Sequence, residues 1–207
     1  MMQTLRPYPL LARSLKDAPI IDRAGYDYFV HPLSDGIPRV DPALLGEAAD
    51  GLVRHLADVR DGLDVLVTAE AMGLPLAAAV SLRTGIPFVT VRKRAYGLPG
   101  ERVLDQRTGY SQNALHLNDI RAGDRVAVLD DVISTGGTLR ALAEGLQAAR
   151  ADLRAVVAVF TKDPDLSAWQ TRLGCPVRAL LCCSVRRDDG AKRVVVDGTD
   201  LGLQMSL

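Results

Sequence analysis

The sequence predicts an α/β protein whose central, mostly parallel sheet is flanked by helices. Three observations carry this: short apolar runs without alternation, longer stretches of helical periodicity between them, and polar or glycine-rich turns where the runs end. Strands buried on both faces lose the apolar–polar alternation of a half-exposed sheet, and strands that alternate with helices build βαβ units.

Residues 41–59, "DPALLGEAADGLVRHLADV", open with Asp41 as N-cap and Pro42 at the first helical position. Leu45, Ala48, Leu52, Leu56 and Val59 then fall on one face, which predicts a helix. "DVLVTAE" (64–70) reads as a buried strand, "LPLAAAVSLRTG" as a helix closed by Gly85, and "PFVTVRK" as the next strand. Residues 92–111 show no clear periodicity, and about twenty such residues inside a compact domain point to a lid. "ALHL" predicts a short strand and "RVAVLDD" a buried one. "TGGTLRALAEGLQAAR" predicts a helix with Leu139, Leu142 and Leu146 inward. "RAVVAVF", a helix around Trp169, "VRALLCC" and a hairpin at "VRRDDG" complete the chain.

At 207 residues, 48% apolar and 24% charged, the composition is that of one soluble globular domain, residues 1–207. Lys+Arg and Asp+Glu balance at 25 each, so no basic field points to nucleic acid and no polybasic tail to a membrane surface. The opening "MMQTLRPYPLLARSLKDAP" has no uninterrupted apolar core, and no apolar run approaches the roughly 20 residues of a membrane span. Cys175, Cys182 and Cys183 have no metal-ligand spacing and suit buried thiols in a reducing compartment. The expected location is therefore the cytoplasm.

The most informative stretch is "VAVLDDVISTGGTLRAL", residues 126–142. Gly136 and Gly137 allow a turn that points successive N–H groups inward, and the helix beginning there adds a positive dipole end. Ser134, Thr135 and Thr138 can donate hydroxyls to the same anion. No Lys follows the second glycine, so this is not a nucleoside-triphosphate P-loop, and the spacing is not G-x-G-x-x-G. Asp130 and Asp131, just upstream, suit a vicinal diol and a ligand-bound Mg²⁺. A ribose carrying a 5-phosphate satisfies both halves.

These residues resemble the type I phosphoribosyltransferases, whose apolar strand, acidic pair and T-G-G-T turn bind phosphoribosyl pyrophosphate (PRPP). "TAEAMGLPLA" (68–77) resembles the pyrophosphate loop of purine members, and "VRKRAYGLPGE" (91–101) the lid of adenine phosphoribosyltransferases. "YDYFVHPLSDGIPRVDPALL" and the order of motifs are similar to archaeal-type hypoxanthine/guanine phosphoribosyltransferases. The resemblance covers about residues 18–160.

It implies the type I fold with a small hood over residues 18–40 and a mobile lid over 92–112. It further implies that Asp130 and Asp131 hold the ribose hydroxyls and that Ser134, Thr135, Gly136, Gly137 and Thr138 hold the 5-phosphate. Glu70, Ala71, Met72 and Gly73 would offer backbone N–H groups to pyrophosphate, in a loop where relatives often carry a non-proline cis peptide. Arg92 and Lys93, at the base of the lid, would neutralise the leaving group, although a basic triplet is ordinarily a solvated face. Tyr110 corresponds to a lid tyrosine of the adenine enzymes, but Gly109 stands where they have a Glu proposed as proton donor, which leaves Glu101 as the substitute. Phe29 or Tyr28 would stack on the base, with His31, Ser34 and Asp35 as edge contacts, unless the aromatics are simply core. His55, His116 and Trp169 receive structural roles.

The resemblance thus implies purine salvage: PRPP plus a purine base gives a nucleoside 5'-monophosphate and pyrophosphate, with Mg²⁺ and as a homodimer. Whole-chain similarity favours hypoxanthine or guanine, and the "LPGE" lid favours adenine. A PRPP- or purine-sensing regulator is the alternative from another class. An orotate or uracil enzyme is disfavoured by the purine-type loops.

Overall fold

The computed structural model describes residues 7–23, 25–107, 112–188 and 190–203. Six strands form the main sheet: β3 (Val65–Ala69), β4 (Phe88–Val91), β7 (Arg125–Ile133), β8 (Asp152–Thr161), β9 (Val177–Asp188) and β10 (Ala191–Leu201), in the order β10-β9-β8-β7-β3-β4. All neighbours are parallel except the β9–β10 hairpin, in which Asp188 pairs with Ala191. The sheet is thus mostly parallel, with one antiparallel edge.

Alternate residues of the strands feed two cores. Leu66, Leu129, Val157 and Leu181 pack with α1 (Pro9–Lys16), α3 (Pro42–His55) and α4 (Gly73–Thr84). Val65, Val67, Val128, Val156 and Val177 pack on the other face with Leu139, Leu142 and Leu146 of α5 (Gly137–Ala148). The central strands β3, β7 and β8 are therefore buried along most of their length, which is why their runs read as continuous apolar segments.

Local chemistry sets the ends of the helices. The Asp41 carboxylate accepts from Ala43 N–H at 2.8 Å and Leu44 N–H at 3.1 Å, while Gly85 ends α4 in the left-handed region at φ 73°. The expected face is buried at Ala48, Leu52 and Leu56; Leu45 packs partly buried against the same core, Leu44 is buried beside it, and Val59 lies beyond the last helical residue.

The segment expected to be irregular is partly strand. Within 92–112, β5 (Arg102–Arg107) pairs antiparallel with β6 (Gln112–Leu117), so about a third of the supposed lid is strand. Its period of two was hidden because the inward positions are one leucine and one polar residue, Leu104 and Gln106. Leu104 lies so close to α5 that a Cβ placed on Gly145 would come within 2.3 Å of its Cδ2.

Two short strands and a short helix within residues 20–35 form a cap beside the carboxyl end of β7. β1 (Ile20–Arg23) and β2 (Tyr26–Phe29) make a hairpin, followed by the short helix α2 (Pro32–Asp35). His31 caps α2: its Nδ1 accepts from Leu33 N–H at 3.2 Å, and its Nε2 lies 2.8 Å from Ser14 Oγ. Because Nδ1 accepts, the ring proton belongs on Nε2, from which it reaches Ser14. Both nitrogens are engaged and the ring is fully buried, so His31 offers no edge to a ligand.

Burial pushes the His31 pKa down to about 4, against the opposing pull of Asp35. A lowered folded-state value means that the unfolded chain binds the extra proton. Stability from this group is present above about pH 6.5 and is lost as pH falls toward about 4, a loss on the order of 3 kcal/mol. His31→Gln is expected to flatten the rise of unfolding free energy between those two pH values, measured by urea titration; an unchanged slope would contradict it.

Candidate active site

Adjacent strands β3 and β7 send their chains in opposite directions along the sheet, β3 through α4 to β4 and β7 through α5 to β8. Their carboxyl-end loops therefore face each other across a crevice, where open α/β sheets bind ligands. The hydroxyl of Thr68 donates to Leu129 carbonyl oxygen at 2.8 Å and ties the two strands just below it.

On the β7 side, Asp130 is buried and Asp131 half-buried at the floor. The N–H of Asp131 donates to Asp130 Oδ1 at 3.0 Å. Burial holds both carboxyl pKa values above the ordinary range; for Asp131 the neighbouring Asp130 charge adds to burial, and for Asp130 hydrogen bonds from Asp131 oppose it. Such a pair gains most from a ligand that brings hydroxyl donors or a cation. The two hard oxygen donors suit an Mg²⁺ carried by phosphate oxygens. Among the described residues no three His, Cys, Asp or Glu side chains converge as a closed metal centre.

Beyond the pair, the chain turns at Gly136, φ 71°, into the first turn of α5. A Cβ on Gly136 would lie 1.9 Å from Trp169 Cζ2, so the indole of α6 (Ser167–Leu173) walls the outer side of the turn. Ser134, Thr135, Gly137 and Thr138 line a cavity of about 160 Å³ together with the acidic pair, Tyr28, Phe29 and Lys162. This arrangement offers an anion seat at one end and an aromatic, cationic chamber at the other.

A second cavity of about 370 Å³ shares Asp130, Asp131 and Thr138 with the first and extends to Glu70, Ala71 and Met72. The Glu70–Ala71 peptide is cis, in the loop for which the resemblance implied one. Gly73 begins α4 so near the sheet that a Cβ there would meet Thr68 Oγ1 at 1.8 Å. Arg92 Nε sits 2.6 Å from Glu70 Oε2, which anchors the β3 loop to the end of β4, whereas Lys93 projects into solvent.

The aromatic residues divide. Phe29 is buried and meets Phe160 edge-on at 6.1 Å, yet still borders the first cavity. The hydroxyl of Tyr28 donates to Asp35 at 2.6 Å, and burial with that carboxylate pushes its pKa up. Glu101 lines neither cavity. Its carboxylate accepts from Tyr96 N–H at 2.9 Å and Asn118 Nδ2 at 3.0 Å, and these bonds lower its pKa. A proton donor needs the reverse, so Glu101 instead pins the turn at residues 96–101. Tyr110 and Gly109 lie outside the described residues.

Two residues at the crevice were missed by sequence reasoning. Lys162 follows directly on β8, with its N–H donating to Ile133 carbonyl oxygen at 3.0 Å. Its ammonium contacts the Tyr26 hydroxyl and lies 5.1 Å from the Phe29 ring centroid. Its position just past an apolar strand was a usable signal, because ligand loops start there. Gln106 left no such signal.

A switch-point crevice with an acidic pair, a glycine anion turn and a second loop opposite defines a binder of phosphorylated sugars. The chain belongs to the family of the phosphoribosyl transferase domain, which matches residues 42–170. It is 54% identical over 152 residues to an HGPRTase-like protein of Halobacterium salinarum, which spans 73% of this chain and 80% of that protein. It is 47% identical to a hypoxanthine/guanine phosphoribosyltransferase of Methanothermobacter thermautotrophicus, over 83% of this chain and 87% of that one. Among solved structures, adenine phosphoribosyltransferase from Saccharomyces cerevisiae superposes with a TM-score of 0.65 at 27% identity, covering 83% of this chain and 98% of that one. The adenine enzyme of Trypanosoma brucei, at 18% identity and a TM-score of 0.66 over 87% of this chain and 85% of that one, shares the fold. The sheet and its flanking helices are accordingly those of a type I phosphoribosyltransferase.

Proposed function

We propose that this enzyme is a purine phosphoribosyltransferase of salvage metabolism that prefers hypoxanthine or guanine: PRPP and the base give the nucleoside 5'-monophosphate and pyrophosphate. The relatives that align over most of the chain carry hypoxanthine/guanine names at 47% identity and above, whereas the adenine enzymes align structurally at 27% or less. In this reading the 5-phosphate sits on Thr135 to Thr138, the ribose hydroxyls on Asp130 and Asp131, and the pyrophosphate against Glu70 to Gly73 with Arg92 behind it. The base enters between Tyr28, Phe29 and Lys162. Residues 18–40 act as hood and 92–112 as lid of a single domain that works as a homodimer in the cytoplasm. No helix among the described residues is long and apolar enough to cross a membrane.

The bond from the anomeric carbon to the pyrophosphate oxygen breaks as the bond to the purine nitrogen forms, through an oxocarbenium-like state. Asp130 and Asp131 would help to hold an Mg²⁺ carried by PRPP, which would supply charge neutralisation for the departing pyrophosphate. The protein's own work is positioning and fixed electrostatics. The acidic floor lies where positive charge develops on the ribose, and the lid and hood exclude water that would hydrolyse the sugar cation.

One observation carries the base preference: the ammonium of Lys162 borders the chamber and has only protons to give. It suits the O6 acceptor of hypoxanthine or guanine and opposes the amino donor of adenine. Lys162→Met is expected to lower kcat/KM for hypoxanthine by about 10- to 100-fold, the range of one hydrogen bond to a charged group. PRPP affinity, measured by titration calorimetry, should stay within about twofold on the scale where tenfold is 1.4 kcal/mol. An unaltered hypoxanthine rate would remove Lys162 from base recognition.

A further inference from the structure

The anion turn receives a polar contact from outside the main sheet. Gln106 of β5 is 8% exposed, and its Nε2 donates to Thr138 Oγ1 at 2.7 Å. Two residues earlier on the same face, Leu104 packs on α5 at Gly145. The strand thus runs along α5 toward its N-terminus and ends with an amide against the first turn. A leucine at 106 would continue the apolar stripe; a buried amide there costs desolvation unless its hydrogen bonds are made.

A threonine hydroxyl has one proton and two lone pairs. When an amide N–H fills one lone pair, the hydroxyl proton must point elsewhere, and the open side of Thr138 is the cleft, whose two compartments it borders. We propose that Gln106 is a positioning residue that polarises the Thr138 hydroxyl, holding it as a donor toward the phosphate seated on the turn. The opposite amide orientation would take that proton and turn a lone pair toward the anion. Gln106 also joins the β5–β6 hairpin to the phosphate seat and borders the second cavity beside Thr138, so loss of the contact weakens binding at the turn through the Thr138 hydroxyl.

This inference rests on the reading of the turn as the PRPP 5-phosphate seat. The test is titration calorimetry of PRPP with Mg²⁺, alongside KM for PRPP and for the base, on wild type, Gln106→Leu, Gln106→Glu, Thr138→Val and the Gln106→Leu/Thr138→Val pair. Gln106→Leu is expected to weaken PRPP by about tenfold, the loss of one charge-assisted hydrogen bond, with KM for the base unchanged. Gln106→Glu, nearly identical in shape, should weaken it further, because a carboxylate accepts the hydroxyl proton and adds negative charge. In the Thr138→Val background, Gln106→Leu should have no additional effect. Additive losses, or wild-type affinity in Gln106→Glu, would overturn the proposal. Wild-type protein that binds no PRPP would overturn the reading of the turn and this inference with it, whereas a wild type that binds PRPP beside an equally tight Gln106→Leu would overturn the inference alone.

Discussion

Asp131→Ala is expected to lower kcat/KM by about 10²- to 10³-fold, the scale for removing one preorganised electrostatic group from a water-poor site. The carboxylate faces the crevice beside Asp130, and both groups are held above the ordinary carboxylate range by burial. Each charge is therefore a cost to the empty fold and useful only when hydroxyl donors or a cation arrive. Removing one charge should leave the circular-dichroism spectrum unchanged and keep or raise the melting temperature, as expected where function and stability oppose each other. Loss of activity with a lowered melting temperature would instead make Asp131 a structural residue. Activity within about fivefold of wild type would remove it from the site, because a group of this kind contributes far more.

Gly136→Ala is expected to fail for two separable reasons. The residue sits at φ 71°, where a side chain costs about 1 to 2 kcal/mol, and its Cβ would overlap Trp169 Cζ2 at 1.9 Å. A destabilisation of about 2 kcal/mol lowers the melting temperature of a chain of this size by about 4 to 8 °C. PRPP binding should fall by more than the stability alone, because this turn is the proposed 5-phosphate seat. Adding Trp169→Ala removes the overlap but not the backbone conflict, so the double variant should recover part of the stability. If the double variant were no more stable than Gly136→Ala, the indole would not be the wall described above.

Much of the fold was legible because burial on both faces leaves its mark on every residue of a strand. "DVLVTAE" and "RAVVAVF" contain or lie within β3 and β8, and the acidic pair expected to end a strand lies in the carboxyl half of β7, two residues before its end. The cap was less legible. β1 and β2 are four-residue strands, largely half-buried or exposed, so neither alternation nor an apolar run marks them. β5 was hidden by Gln106, a polar residue at an inward position.

The same physics limited the reading of side-chain roles. A histidine beside a proline looks equally like a ligand or a cap until the partners of both ring nitrogens are known, and His31 proved to be a cap. Asp200, at the far end of the chain, accepts from the Tyr8 hydroxyl and from Arg54 and lies 2.8 Å from His55 Nε2, which locks α1 to α3 and β10. Contacts across that much sequence leave no local pattern. Glu101, chosen because a carboxylate stood in the lid, is consumed by backbone donors that a linear motif cannot display.

The most direct measurement is product formation from PRPP and Mg²⁺ with hypoxanthine, guanine, xanthine and adenine in parallel, followed by separation of the nucleotides. A salvage enzyme with Lys162 in its base chamber should form inosine or guanosine 5'-monophosphate with stoichiometric pyrophosphate and turn adenine over far more slowly. Turnover of adenine alone, or PRPP binding without turnover of any base, would contradict it.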